Sequence, residues 1–105
     1  MFVNRIDQIK KMLETTPGDD FLKHALALEY LKAGEEMTAK DCFIELLKNN
    51  PNYIGSYYHL ALLLERLGER EDAIRFFEKG MQVAKEIADN HAFNELRSAY
   101  EEMMY

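Results

Sequence analysis

Apolar residues recur along the chain at the three- to four-residue spacing of amphipathic helices. Between the apolar stretches stand residues that end helices, such as Pro17, Gly34, Pro51 and Gly68. The pattern therefore predicts an all-α chain of about six helices. The predicted helices span residues 2–15, 20–33, 37–49, 54–67, 70–88 and 90–105.

One set of residues occurs twice, with the second copy 34 residues after the first. The first copy consists of Leu26-Ala27, Tyr30, Gly34, Ala39 and Phe43, and the second of Leu60-Ala61, Leu64, Gly68, Ala73 and Phe77. Because this offset is longer than a single helix, it indicates a repeating unit. The alanines suit places where two helices cross closely, and each phenylalanine fills the adjacent gap.

These duplicated residues resemble the tetratricopeptide repeat family, whose unit has this period and contains Leu-small-x-x-aromatic, Ala-x-x-x-Phe and a closing proline. The first copy carries all three parts and closes with Pro51. The resemblance implies a short right-handed α-solenoid of antiparallel helix hairpins in a single domain. Its expected divisions are a covering helix at 1–17, repeats at 20–53 and 54–87, and a capping helix at 90–105.

The two flanking helices are half units. Pro17 lies 34 residues before Pro51, so the first helix takes the place of a second repeat helix, with Ile9 at the position of Phe43. In the last helix, Leu96 lies 36 residues after Leu60, so the register shifts by two. We expect both helices to cover apolar ends of the solenoid.

Composition and charge restrict the class of partner. The 105 residues suit one domain, and a formal net charge of −6 argues against nucleic-acid binding, which favours a surplus of Lys and Arg. No run approaches the roughly 20 apolar residues of a membrane span, so a membrane is not expected as a partner. Cys42 is the only cysteine, so no internal disulfide can form, and a reducing cytoplasm is the expected compartment.

Motifs for catalysis or cofactor binding are not found in the sequence, which lacks a Gly-rich phosphate loop, a paired-histidine metal signature and a nucleophile motif. We therefore expect no enzyme activity, no catalytic residues, no metal and no cofactor. A remote alternative remains, because His24 and His59 fall at neighbouring positions of equivalent helices and could bind a metal with Glu29 or Glu65. Cys42 as a nucleophile is disfavoured, since no third group orients a base.

The resemblance also implies where a partner binds, because the first helix of each repeat lines a concave surface in the family. The family positions correspond to Phe21, His24, Leu28, Leu31 and Lys32 in the first copy, and to Gly55, Tyr58, Leu62, Glu65 and Arg66 in the second. Helical spacing independently places Phe21, His24 and Leu28 on one stripe, and Tyr58 and Leu62 on another.

We therefore predict a groove that binds a peptide segment of a partner protein. The predicted groove residues are Phe21, His24, Leu28, Lys32, Tyr58, Leu62 and Arg66. The apolar and aromatic residues would be anchors, while Lys32 and Arg66 would engage a carboxylate. The alternative is that the leucines only pack between helices and the two cations extend into water.

Two departures from the family pattern occur in the first repeat. Family members that clamp the C-terminal carboxylate of chaperones carry Lys and Asn where this chain has His24 and Leu28, which argues against that subtype. Lys23 stands where the family often has Trp, whereas Tyr57 fills this position in the second copy. Because of this second departure, the first hairpin is expected to pack less tightly.

Self-association is the alternative to peptide binding in the groove. Short solenoids expose apolar residues at their ends, and stacking of two copies would bury them. The residues suspected of forming a homo-oligomer through the solenoid ends are Phe2, Val3, Phe93, Met103, Met104 and Tyr105.

Overall fold

Several helices in the structure begin at residues whose side chains cap a helix or end at glycines that terminate one. The computed structural model describes residues 4–105, and in this range it contains six α-helices and no strand. They are α1 (Arg5–Thr15), α2 (Asp20–Lys32), α3 (Glu36–Asn49), α4 (Gly55–Arg66), α5 (Arg70–Glu86) and α6 (Asn90–Met104). The predicted all-α fold is confirmed. Phe2 and Val3 lie outside the described residues.

Aspartates and glycines define several of these ends. The Asp19 carboxylate accepts a hydrogen bond from the backbone N–H of Leu22 at 3.0 Å, which caps the start of α2. Asp89 caps α6 in the same way. Gly34 and Gly68, which follow α2 and α4, adopt φ values of +79° and +81°, which side chains with a Cβ atom resist. Both hairpin turns therefore depend on glycine.

Small residues at the helix crossings bring the paired helices close together. α2 pairs with α3, and α4 pairs with α5. Four alanines and two phenylalanines of these hairpins are fully buried: Ala27, Ala39, Ala61, Ala73, Phe43 and Phe77. Ile9 of α1 is 1% exposed. The core is therefore built from the residues that the sequence repeats, and the flanking helix continues it.

The helices form a row rather than a closed bundle. α1 packs on α2, α3 packs on α4, and α6 packs on both α5 and α4. The described chain accordingly measures 47 × 29 × 20 Å along its principal axes. Below, the surface that α2, α4 and α6 contribute is called the inner face.

Candidate functional site

The inner face is held together between α2 and α4 by a hydrogen bond and a group of aromatic rings. The His24 Nδ1 and Ser56 Oγ atoms lie 2.8 Å apart, and Ser56 is fully buried. The centres of the His24 and His59 rings are 5.7 Å apart, and the His24 ring also lies 5.5 Å from Tyr53. The two histidines that the sequence placed at neighbouring positions are therefore close in space.

The predicted groove residues differ widely in exposure. Phe21 is 68% exposed, although it is a large apolar side chain. The half-buried members are His24, Leu28, Tyr58 and Leu62, and the exposed members are Lys32 and Arg66. The groove residues are thus accessible to different degrees, and Phe21 is the most exposed aromatic residue of the inner face.

A recess opens between α4 and α6. It has a volume of about 270 Å³ and is lined by Tyr58, Leu62 and Glu65 of α4 together with Ala99, Glu102 and Met103 of α6. The α6 residues are absent from the groove predicted above, because the register shift in α6 prevents alignment with the repeats. The spacing of Ala99 and Met103 by four residues was the available signal, since such residues share a helix face.

Both cations of the predicted groove already have an internal carboxylate. Lys32 Nζ lies 3.4 Å from a carboxylate oxygen of Glu29 in its own helix. Arg66 contacts Glu36 at the start of α3 through Nε at 2.7 Å and a terminal nitrogen at 2.6 Å. Exposed pairs of this kind contribute about 0–1 kcal/mol, so an incoming carboxylate can displace them at low cost.

The paired histidines are held in their neutral form by their surroundings. Burial lowers the pKa of His24 below its ordinary value of 6.5, and the neighbouring charge of His59 lowers it further. Burial also lowers the pKa of His59, and the smaller effect of the Glu95 carboxylate of α6 is to raise it. Across residues 4–105, no three His, Cys, Asp or Glu side chains come together as potential metal ligands.

These pKa values predict that the fold loses stability in mild acid. As the pH falls through about 6.5, the unfolded chain takes up protons on both histidines before the folded chain does, so the free energy of unfolding decreases. It should level off only below the lowered folded pKa values. We expect urea midpoints measured from about pH 8 to pH 5 to fall for the native chain.

A variant carrying His24→Gln and His59→Gln should show a flatter dependence over the same range. His91→Gln is the matched control, because His91 is exposed on α6. If the urea midpoint of the double variant fell as much between pH 8 and pH 5 as that of the native chain, His24 and His59 would not be the cause of the loss of stability in acid.

The chain is similar to known proteins in both sequence and structure. Residues 54–87 match the family model described as tetratricopeptide repeat. A tetratricopeptide repeat domain protein from Salinibacter ruber, known from a crystal structure, is 38% identical to this chain in sequence. The two structures superpose with a TM-score of 0.79, and the matched region covers 82% of this chain and 96% of that chain. A solution structure of such a protein from the same organism is 39% identical, with a TM-score of 0.79, covering 83% of this chain and 88% of that chain.

A more distant structure shares the fold over almost the full length. A protein from Bordetella parapertussis is 19% identical, with a TM-score of 0.84, covering 98% of this chain and 90% of that chain. At this identity the likeness concerns the fold alone. A search of curated proteins finds no match. Throughout residues 4–105, each helix is too short or too polar to cross a membrane.

Proposed function

Because this chain belongs to the tetratricopeptide repeat family, we propose that it is a non-catalytic, cytoplasmic protein–protein interaction module that binds a peptide segment of a partner along its inner face. The observation that carries the proposal is the α4–α6 recess, where Tyr58 and Leu62 stand opposite Ala99 and Met103. The lining of this recess is mixed, because Glu65 and Glu102 lie beside these apolar and aromatic side chains, and a cleft that combines apolar side chains with a few polar groups is typical of a binding site.

The proposed contacts follow from the chemistry of the exposed side chains. Phe21 and Tyr58 would serve as aromatic anchors, since aromatic residues carry much of the energy in protein interfaces. A carboxylate of the partner would exchange with Glu36 for the Arg66 guanidinium, which can bind two oxygens at once. The bound segment would be extended or helical, with an acidic residue near one end.

A pull-down with tagged protein tests this assignment. The variant Phe21→Ala/Tyr58→Ala/Arg66→Glu should lose partners that the native chain recovers, since single anchor residues contribute about 2 kcal/mol or more, roughly 30-fold in affinity. Ile87→Ala removes an apolar side chain that is 43% exposed at the end of α5, away from the inner face, and serves as the control. Equal recovery of all partners by the triple variant would refute the groove.

Self-association is the competing function, and accessible apolar side chains within and just after α6 favour it. Tyr105 is 97% exposed, and Phe93, Met103 and Met104 are half-buried. The repeat register argues against stacking of the ends. Arg5 of α1 lies 34 residues before the buried Ala39, and Arg97 of α6 lies 36 residues after the buried Ala61. A further helix packed at either end would have to bury Arg5, or Arg97 together with its partner Glu101 at 3.8 Å, and taking these charges out of water costs free energy.

We therefore propose that the module acts as a monomer. Light scattering over a concentration series should give the mass of one chain throughout. A mass that rises with concentration would support the self-associating alternative instead.

A further inference from the structure

The two hairpins differ at positions that aromatic rings occupy in the second repeat only. Tyr57 of α4 is 2% exposed, its hydroxyl donates a hydrogen bond to the carbonyl oxygen of Pro51 at 2.6 Å, and its ring centre lies 6.4 Å from that of Phe76 in α5. The residues 34 positions earlier are Lys23 and Cys42. The first repeat thus lacks both rings at the equivalent place.

The residue facing Tyr57 shows how far the first repeat compensates for this loss. A Cβ atom on Gly80 would lie 2.8 Å from the Cβ atom of Tyr57, so the second repeat makes room for its tyrosine. The equivalent residue of the first repeat is Leu46, which is 1% exposed. In the first repeat, Leu46 therefore fills part of the space that Tyr57 fills in the second. Cys42 is smaller than Phe76, so the space that the Phe76 ring fills in the second repeat stays open in the first.

The unfilled volume forms an open recess between α2 and α3, which we call the α2–α3 recess. It measures about 430 Å³, within the roughly 300–1,000 Å³ of ligand pockets. Its apolar lining comes from Leu26, Cys42 and Leu46, and Asp41 and Glu45 lie exposed at its edge. Burial raises the pKa of the Cys42 thiol, so this side chain acts as a small neutral group.

The charges at the edge restrict what the recess can accept. Within residues 4–105, no lysine or arginine forms an ion pair with Asp41 or Glu45. Two cations lie nearby: Lys23, which is 3.8 Å from the carboxylate of Asp20, and Lys10 of α1, whose charge acts on the Cys42 thiol. The edge therefore has an acidic surplus. A segment that enters the recess is favoured when it carries Lys or Arg beside its apolar group.

We propose that the α2–α3 recess is a second docking site, which binds an aromatic side chain of a partner protein flanked by basic residues. An aromatic group fits because the second repeat fills the equivalent space with two rings of its own. This site lies on the α2–α3 hairpin and includes no residue of the predicted inner-face groove. The proposal therefore stands independently of the function proposed above.

The most exposed aromatic side chains of this chain do not meet these requirements. Among residues 4–105, these are Phe21, which follows Asp19 and Asp20, and Tyr105, which lies near Glu101 and Glu102. Both would bring carboxylates to the edge formed by Asp41 and Glu45, and like charges repel. Docking of a second copy through Phe21 or Tyr105 is therefore disfavoured.

Alkylation of Cys42 tests the site directly, since it is the only cysteine of the chain. The probe is acetyl-Gly-Lys-Tyr-Lys-Gly-amide, and the matched control is the same peptide with alanine in place of tyrosine. At saturation, the tyrosine peptide should slow the reaction of the folded protein with iodoacetamide by about tenfold or more, because thiolate chemistry requires access to the sulfur. The alanine peptide should leave the rate unchanged. Equal protection by both peptides, or protection by neither, would overturn the proposal.

Two variants separate filling of the recess from general effects. Asp41→Lys/Glu45→Lys should reverse the charge preference, so that acetyl-Gly-Glu-Tyr-Glu-Gly-amide protects Cys42 better than the lysine probe. Cys42→Phe should fill the recess and weaken binding of the lysine probe by about 30-fold or more, measured by titration calorimetry on protein with native helix content. Retained lysine preference in the charge-reversed protein, or unchanged affinity in folded Cys42→Phe protein, would contradict the assignment. Should Cys42→Phe not fold, the charge-reversed protein decides.

Discussion

Replacing Phe77 by alanine is expected to destabilise the fold by about 3–5 kcal/mol, because it removes a large side chain from the core and leaves a cavity. Phe77 is fully buried, and its ring meets that of Tyr100 edge-on with a centroid distance of 6.0 Å. It thus joins α5 to the last helix. Against a total stability of about 5–15 kcal/mol for a small domain, this loss is large. Urea denaturation followed by the helical circular dichroism signal measures it.

Phe21→Ala is the matched control for this prediction. The chemical change is the same, but Phe21 is 68% exposed, so its stability should change by no more than about 0.5 kcal/mol. Similar losses in the two variants would mean that Phe77 does not form the core contact described above. A stable Phe21→Ala protein also ensures that its loss of binding is not a loss of folding.

Replacing Gly80 by alanine is expected to destabilise the fold by about 2 kcal/mol, as overpacking of a core does. Replacing glycine by alanine inside a helix usually stabilises the fold, because glycine there is about 1 kcal/mol less favourable than alanine. The loss expected at Gly80 is therefore opposite in sign. The added Cβ atom would lie 2.8 Å from Tyr57 Cβ and 3.0 Å from a methyl carbon of Leu96. The Tyr57 Cβ atom is fixed to the backbone of α4, so the helices must move apart.

A thermal melt detects this change, since each kcal/mol corresponds to about 4–8 °C in Tm for a domain of this size. Gly55→Ala provides the control, because a Cβ atom there would meet only ordinary contacts at 3.9 Å with His24 and Tyr53. We expect Gly55→Ala to keep the Tm nearly unchanged. A Gly80→Ala protein as stable as the native chain would contradict the close approach of α4 and α5.

The helices and the core could be predicted because local rules determine them. Pro51 cannot continue a helix, Gly34 and Gly68 adopt the left-handed conformation that ends one, and Asp19 caps the next. The repeated alanines and phenylalanines identified the buried positions, since a position that repeats with the fold has the same neighbours each time. These features are encoded within a few residues or one repeat period.

The candidate site was predicted only in part because its contacts join residues far apart in sequence. No local pattern indicates that Arg66 contacts Glu36, or that Ser56 is buried against His24. The α6 side of the recess was missed because its register differs from that of the repeats. Whether Phe21, Tyr58 and Leu62 contact a partner stays a prediction.

The first hairpin illustrates how one substitution at a repeat position depends on another. Lys23 in place of an aromatic residue suggested loose packing, but Leu46 is buried where the second repeat has Gly80. Large and small residues are thus exchanged between the two helices, which maintains the packing of that crossing. The remaining opening beside Cys42 is what distinguishes the first repeat, and it could not be seen from either position alone.

Site-specific photo-crosslinking in the native cell shows whether a partner segment binds to the inner face. A photoreactive phenylalanine analogue would replace Tyr58 or Phe21 on the inner face, or the exposed Gln82 on α5 as the control. We expect the same partner to be crosslinked at Tyr58 and at Phe21, and not at Gln82. Crosslinking at Gln82 with none at Tyr58 and Phe21 would contradict this expectation.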